Sequence, residues 1–289
     1  MPVIFGTSLA VVVGGARLDV PRFVLALAAM VILHSAANMR SDVFDFRRGL
    51  DTRATPVSGA IIRGWLTDRQ VARGSAVLFA AGLTLGLALA WMTGWILLVI
   101  GAVGVCIGAS YSLFKVNALG DLAVFLNFGI LGALGAWTVQ TRAFSWLPVA
   151  WTVPMAMLVV GILHANNWRD IATDSDRRVR TFASILGDYR SLAYYGFLLF
   201  GSLLLVVVYV AGPRLRMFAA PFLPWPCLIV GAVLPEAIKL WERAKRRHAP
   251  LEPFDFIVLD GATARYNLLF GLFYTAGLWI EFILRGSRG

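Results

Sequence analysis

Long apolar stretches recur from one end of this chain to the other, and that recurrence limits its fold more than any motif does. Runs approaching or exceeding the length of a membrane crossing cover residues 2–15, 20–44, 70–91, 94–113, 119–140, 148–172, 189–211, 218–243 and 264–285. In hydrocarbon every backbone N–H and C=O needs a partner within the protein, so runs of about 20 apolar residues cross as helices. One or two buried helices in a water-soluble globule would not produce so many. Composition agrees: 59% of the 289 residues are hydrophobic and only 15% charged, with a mean hydropathy of +0.75, whereas a soluble domain carries roughly 25% charged residues. The expected fold is all-α, a polytopic bundle of about nine transmembrane helices around a central cavity, with residues 1–289 forming one domain. The first run is short for a span and lacks a charged leader or an Ala-x-Ala site, so it reads as the end of a first helix or as a partial span. Pro154 and Pro235 fall inside expected helices and imply kinks. Cys106 and Cys227 lie in apolar runs and read as small buried hydrophobes.

A net charge of +10 would suit nucleic acid in a soluble protein, but here the positions of the charges matter first. With nine helices, the connections after helices 2, 4, 6 and 8 share one side. All but seven of the 26 Lys and Arg residues belong to that side, the exceptions being Arg17, Arg22, Arg142, Arg214, Arg216, Arg285 and Arg288. The positive-inside rule puts the large loops and the N-terminus in the cytoplasm and the C-terminus outside, in a cytoplasmic membrane, with no nucleic-acid partner. Of the 16 acidic residues, only Asp19 and Glu281 fall on the outer side. No rule about Lys and Arg demands that bias, so the inner loops are expected to hold a functional site.

Two clusters stand out on that side. The first closes helix 2, with Asn38, Asp42 and Asp45 at i, i+4 and i+7 on one helix face, followed by Arg47, Arg48 and Asp51. The second closes helix 6, where Asn167, Asp170 and Asp174 share a face and Arg169, Asp176, Arg177 and Arg178 are interleaved. Carboxylates one turn apart repel each other and are costly at a membrane boundary unless a cation neutralises them. Hard oxygen donors suit Mg²⁺ or Ca²⁺, and the arginines suit a polyanion, a combination that fits diphosphate held through Mg²⁺. Two other readings stand beside it: solvated helix ends with incidental charge pairs, and an ion or proton pathway. The pathway lacks support, because helices 3, 4, 5 and 7 carry no acid inside them to continue it.

The two Asp-rich segments, four helices apart, resemble those of the UbiA superfamily of intramembrane prenyltransferases, and within it the 1,4-dihydroxy-2-naphthoate polyprenyltransferase branch. Ser41 to Asp51 is similar to the branch's Asn-Asp-x-x-Asp-x-x-x-Gly-x-Asp segment, except that Ser41 replaces its Asn and Arg40 a usually small residue. Thr55 to Gly59 gives its Thr-Pro-x-Ser-Gly stretch. Asn166 to Asp174, Arg180-Thr181 and Leu186-Gly187 give its second segment, and Thr263 to Gly271 resembles its ending. Tyr111-Ser-Leu-Phe-Lys115 is similar to the family's Tyr-x-x-x-Lys, and Gly120-Asp121 to its Gly-Asp/Glu pair.

The resemblance implies Mg²⁺-dependent transfer of a polyprenyl group from its diphosphate to a small aromatic acceptor, dihydroxynaphthoate in menaquinone synthesis, with loss of the acceptor's carboxylate as CO₂. Asp42, Asp45, Asp170 and Asp174 are then the expected Mg²⁺ ligands, supported by Asn38, Ser41, Asn167 and Asp51. Lys115, Arg47, Arg169 and Arg180 are the expected diphosphate contacts, with Lys115 placed among the catalytic residues and Tyr111 among those binding substrate. Other acceptors remain open: a benzoate, homogentisate, a tetrapyrrole or a lipid alcohol. From a different class, so does an ion-coupled transporter. His34 and His164 read as packed helix histidines, the ten Trp as interfacial anchors and core, and Lys245-Arg246-Arg247 as a topogenic cluster facing lipid headgroups.

Overall fold

The computed structural model describes residues 1–50, 59–171, 179–217, 223–248 and 259–286. Every element among them is helical, apart from one isolated β-bridge. Six helices are long and apolar enough to cross a membrane: α2 (Val20–Arg47), α3 (Asp68–Thr93), α6 (Gly120–Thr141), α7 (Trp146–Arg169), α8 (Phe182–Ala211) and α10 (Leu259–Gly286). Two shorter apolar helices, α1 (Pro2–Val12) and α4 (Trp95–Ala109), complete the set. A short α5 (Tyr111–Val116) follows α4.

The all-α polytopic bundle is as expected, while the count of about nine transmembrane helices is not exactly confirmed among the described residues. The stretch expected to form the eighth span divides into a 3₁₀ segment, Trp225–Val233, and α9 (Leu234–Lys245). The reason is Pro235. Rather than kinking a continuous helix, it occupies the first turn of α9, where its missing N–H costs nothing. Pro154, by contrast, does sit inside α7. The first helix packs tightly into the bundle: Phe5 and Leu9 are fully buried, and Gly6 lies so close to α6 that a methyl group would overlap the backbone carbonyl of Ala133.

Local signals set the helix starts. Asp19 accepts from the backbone of Arg22 to begin α2, and Thr67 forms a capping box with Gln70 to begin α3. Thr181 does the same with Ser184 for α8, which consequently starts seven residues before the apolar run, with a backbone break at Gly187 (φ 70°). In the middle of α6, Phe125–Leu131 widens into a π-helix. There Gly129 meets Ala156 of α7 so closely that no side chain could intervene. Small residues give this close approach, the packing that associates helices within lipid. α6 and α7 are the most enclosed spans, with 56% of their apolar windows buried against 17% for α2 and 11% for α3. The site is accordingly sought where α5 links the polar end of α2 to the start of α6, which packs on α7.

Candidate active site

The last turns of α2 pass from exposed to buried. Asn38 is exposed and hydrogen-bonded to His34 at 3.2 Å, Asp42 is half-buried, and Ser41 and Asp45 are buried. Asp45 is met by Lys115 of α5, whose Nζ donates to Oδ2 at 3.0 Å. The other oxygen, Oδ1, has no hydrogen-bond partner among the described residues. An unsatisfied buried acceptor costs about 1–3 kcal/mol. Arg47, two residues on, turns to the start of α3 and binds Asp68 at 3.0 Å, so its charge is engaged there.

The segment from α5 into α6 joins the first cluster to the second. Tyr111 lies one turn before Lys115. Burial pushes its phenol up to about 12, the nearby Asp45 and Asp121 add to the shift, and Lys115 opposes it. After α5 the backbone pairs with the strand-like residues leading into α8: Asn117 and Arg180 form a parallel bridge, with Ala118 donating to the Arg180 carbonyl at 2.6 Å. Arg180 is thus placed beside the Lys115 loop by backbone bonds, its side chain exposed. Asp121 begins α6, 7% exposed, and its Oδ2 stands 3.7 Å from Nδ1 of the fully buried His164 on α7. None of the polar side-chain atoms of these two residues has a hydrogen-bond partner among the described residues. The His164 ring packs edge-on against Tyr194.

One turn beyond His164 the second cluster begins. Asn167 is buried. Arg169 holds both oxygens of Asp170, through Nε and Nη2 at 2.9 Å each, and reaches Asp260 of α10 through Nη1 at 3.0 Å. Asn166 donates to the same Asp260 oxygen at 3.2 Å. Asp170 and Arg169, expected to serve a metal and a diphosphate separately, are here partners of each other. Asp51 and Asp174 lie outside the described residues, as do Thr55 to Ser58 of the Thr-Pro-x-Ser-Gly stretch.

Among the described residues no three His, Cys, Asp or Glu side chains converge as a ready metal shell. The donors nevertheless suit a hard divalent cation. Asp45 keeps a buried oxygen unpartnered, and at Arg169 two carboxylates face one guanidinium. Neither Asp260 nor Asp121 was assigned a role from sequence. Asp121 belongs to the Gly-Asp pair already noted, and Asp260 could have been found as another acid on the inner side, standing just before an apolar helix. A cavity of about 710 Å³ opens at the other end of the bundle, bordered by Arg17, Asp19, Arg22 and Gln140, remote from all of these groups.

Comparison with known proteins follows the same lines. Residues 1–254 match the model of the UbiA prenyltransferase family. The chain is 30% identical over 285 residues to UbiA prenyltransferase domain-containing protein 1 of Danio rerio, spanning 96% of this chain and 79% of that one. It is 26% identical over 287 residues to 1,4-dihydroxy-2-naphthoate octaprenyltransferase of Bacillus subtilis (strain 168), spanning 98% and 88%. Its fold is similar to the apo structure of a UbiA homolog from Aeropyrum pernix K1, with a TM-score of 0.64 at 18% identity over 92% of this chain and 95% of that one. It is also similar to a UbiA homolog from Archaeoglobus fulgidus bound to DMAPP and Mg²⁺, with a TM-score of 0.54 at 14% identity over 94% and 95%.

Proposed function

The chain belongs to the UbiA prenyltransferase family, and from that premise we propose that it transfers a polyprenyl group from its diphosphate to 1,4-dihydroxy-2-naphthoate at the cytoplasmic face of the membrane, with Mg²⁺. The naphthoate acceptor is supported by the Bacillus subtilis relative, whose name specifies it. Mg²⁺ is supported by the ligands of the Archaeoglobus fulgidus homolog. The transporter reading falls with the family assignment.

The observation that carries the reading is the Lys115–Asp45 pair, with Asp45 Oδ1 left over, at the buried end of the α2 acidic face. Asp42 and Asp45 from α2, with Asp170 and Asp174 from the end of α7, would hold the cation. Asn38, Ser41, Asn167 and Asp51 would support them. Bound there, Mg²⁺ would supply positive charge to the departing diphosphate oxygens. Lys115 supplies a second positive charge on the same leaving group, donating from Nζ to a diphosphate oxygen when the donor arrives, with Arg47, Arg169 and Arg180 at the rim. Tyr111, kept neutral by its burial, offers an O–H donor beside them.

The allylic C–O bond breaks with its electron pair going to diphosphate. The electron-rich ring of the acceptor then forms the new C–C bond, and the ring recovers its electrons as the carboxylate carbon leaves as CO₂. The apolar walls of the bundle exclude water, which would otherwise capture the cation. The test is incubation of the purified chain with a polyprenyl diphosphate, Mg²⁺ and a panel of acceptors that includes dihydroxynaphthoate, 4-hydroxybenzoate and homogentisate, with products read by mass. A decarboxylated prenyl naphthoquinol supports the proposal. Transfer to another acceptor with none to naphthoate sinks the acceptor, and undiminished transfer in excess EDTA sinks the metal.

A further inference from the structure

One guanidinium between two carboxylates leaves a negative charge over, and the two carboxylates are not equivalent. Asp260 is 17% exposed and bonded three ways: Oδ2 accepts from Arg169 and Asn166, and Oδ1 from the backbone of Gly261 at 2.7 Å. It also lies in the first turn of α10, where the helix dipole favours negative charge. Asp170 is 40% exposed and sits at the cap after α7, and among the described residues its side chain is bonded by Arg169. Were Asp170 to turn toward a cation with no Asp260 present, Arg169, 15% exposed, would be left as a largely buried charge without a counter-ion among the described residues, an unfavourable state. With Asp260 in place the guanidinium keeps a partner throughout.

We propose that Asp260 is a positioning residue, holding Arg169 fixed while Asp170 passes from Arg169 to the divalent cation. This rests on the reading of Asp170 as a metal ligand. In the absence of metal Arg169 offsets one of its two carboxylates, and the charge left over favours the cation. When the cation arrives, the arginine keeps its place and retains free N–H groups facing the diphosphate.

The experiment is a Mn²⁺ titration of the full chain in detergent, with free Mn²⁺ read by electron paramagnetic resonance, alongside thermal melting. In Asp260→Asn, Asp170 is the one carboxylate left to Arg169 among the described residues and is held more tightly, so Mn²⁺ binding should weaken about tenfold, the usual effect of losing a group that orients a metal ligand. Asp260→Glu should recover most of the affinity. Adding Arg169→Gln to Asp260→Asn releases Asp170 and should also recover it, which a purely structural role for Asp260 does not allow. Unchanged Mn²⁺ affinity in Asp260→Asn overturns the proposal, as does a double variant that binds no better than the single one. Asp170→Asn separates the two levels. If it binds Mn²⁺ like the parent, the metal reading of this cluster fails. If it loses Mn²⁺ while Asp260→Asn keeps it, only the role of Asp260 fails.

Discussion

Lys115 and Asp45, 70 residues apart in sequence, meet at 3.0 Å with side chains 21% and 7% exposed. A buried pair of this kind contributes little net stability, but breaking it from one side is costly, about 3–5 kcal/mol, because the remaining charge is stranded.

Lys115→Met should therefore reduce prenyl transfer by about 100-fold or more, since it removes a charge from the leaving group, and should also lower the melting temperature. Asp45→Asn combined with Lys115→Met should melt closer to the parent than Lys115→Met alone while remaining inactive. Recovery of activity along with stability in the double variant would show that the pair is only structural.

Tyr111 yields a prediction in pH. Burial pushes its phenol up from the ordinary value of about 10 to about 12, so from pH 10 to 12 the folded chain keeps a proton that the unfolded chain releases. Stability falls with rising pH across that window. Tyr111→Phe has no phenol to ionise and should lose less melting temperature than the parent between pH 9 and 11. Between pH 6 and 9 the two should show pH–rate profiles of the same shape, because the phenol does not ionise there.

The close contact of α6 with α7 predicts a contrast between two glycines. Gly129→Val forces apart helices already in contact at Ala156 and should cost about 1–3 kcal/mol. Gly101→Val, on the open side of α4 with nothing within 4 Å, should leave the melting temperature unchanged or slightly higher. Equal melting of the two in detergent would contradict the packing.

Orientation can be checked with single cysteines in a background where Cys106 and Cys227 are replaced. An impermeant thiol reagent added to intact cells should label Leu215→Cys and leave Leu66→Cys unlabelled until the cells are opened. Both side chains are exposed, at 70% and 43%. The reverse pattern would invert the topology.

Much of the fold was legible because lipid permits so few solutions. The apolar runs located α2, α3, α6, α7 and α10 to within a few residues. The eighth run misled because hydropathy is blind to whether a proline ends one helix or starts another, and Pro235 starts one. At the site, the i, i+4, i+7 spacing correctly placed Asn38, Asp42 and Asp45 on one helix but could not show that burial increases along them. Nor could it show that Lys115 reaches Asp45, since no local pattern links residues 70 apart. Arg169 and Asp170 were read as serving different ligands. Their bidentate pairing depends on side-chain directions at a helix cap, where the helical period that guided the reading ends.

The bond between Arg169 and Asp260 also has a consequence for biosynthesis. The two residues are 91 apart, so at the usual 5–20 residues per second the ribosome delivers the second about 5–20 s after the first. Through that interval α7 is available for insertion while its terminal arginine has Asp170 but not yet the second carboxylate, carried on α10. A chain arrested before α10 would enter the bilayer with both acidic clusters translated, yet with the second unassembled. Appearance of the fully tethered arginine is therefore a timestamp for the arrival of α10, and the polar end of the bundle matures late even though its first half is made early.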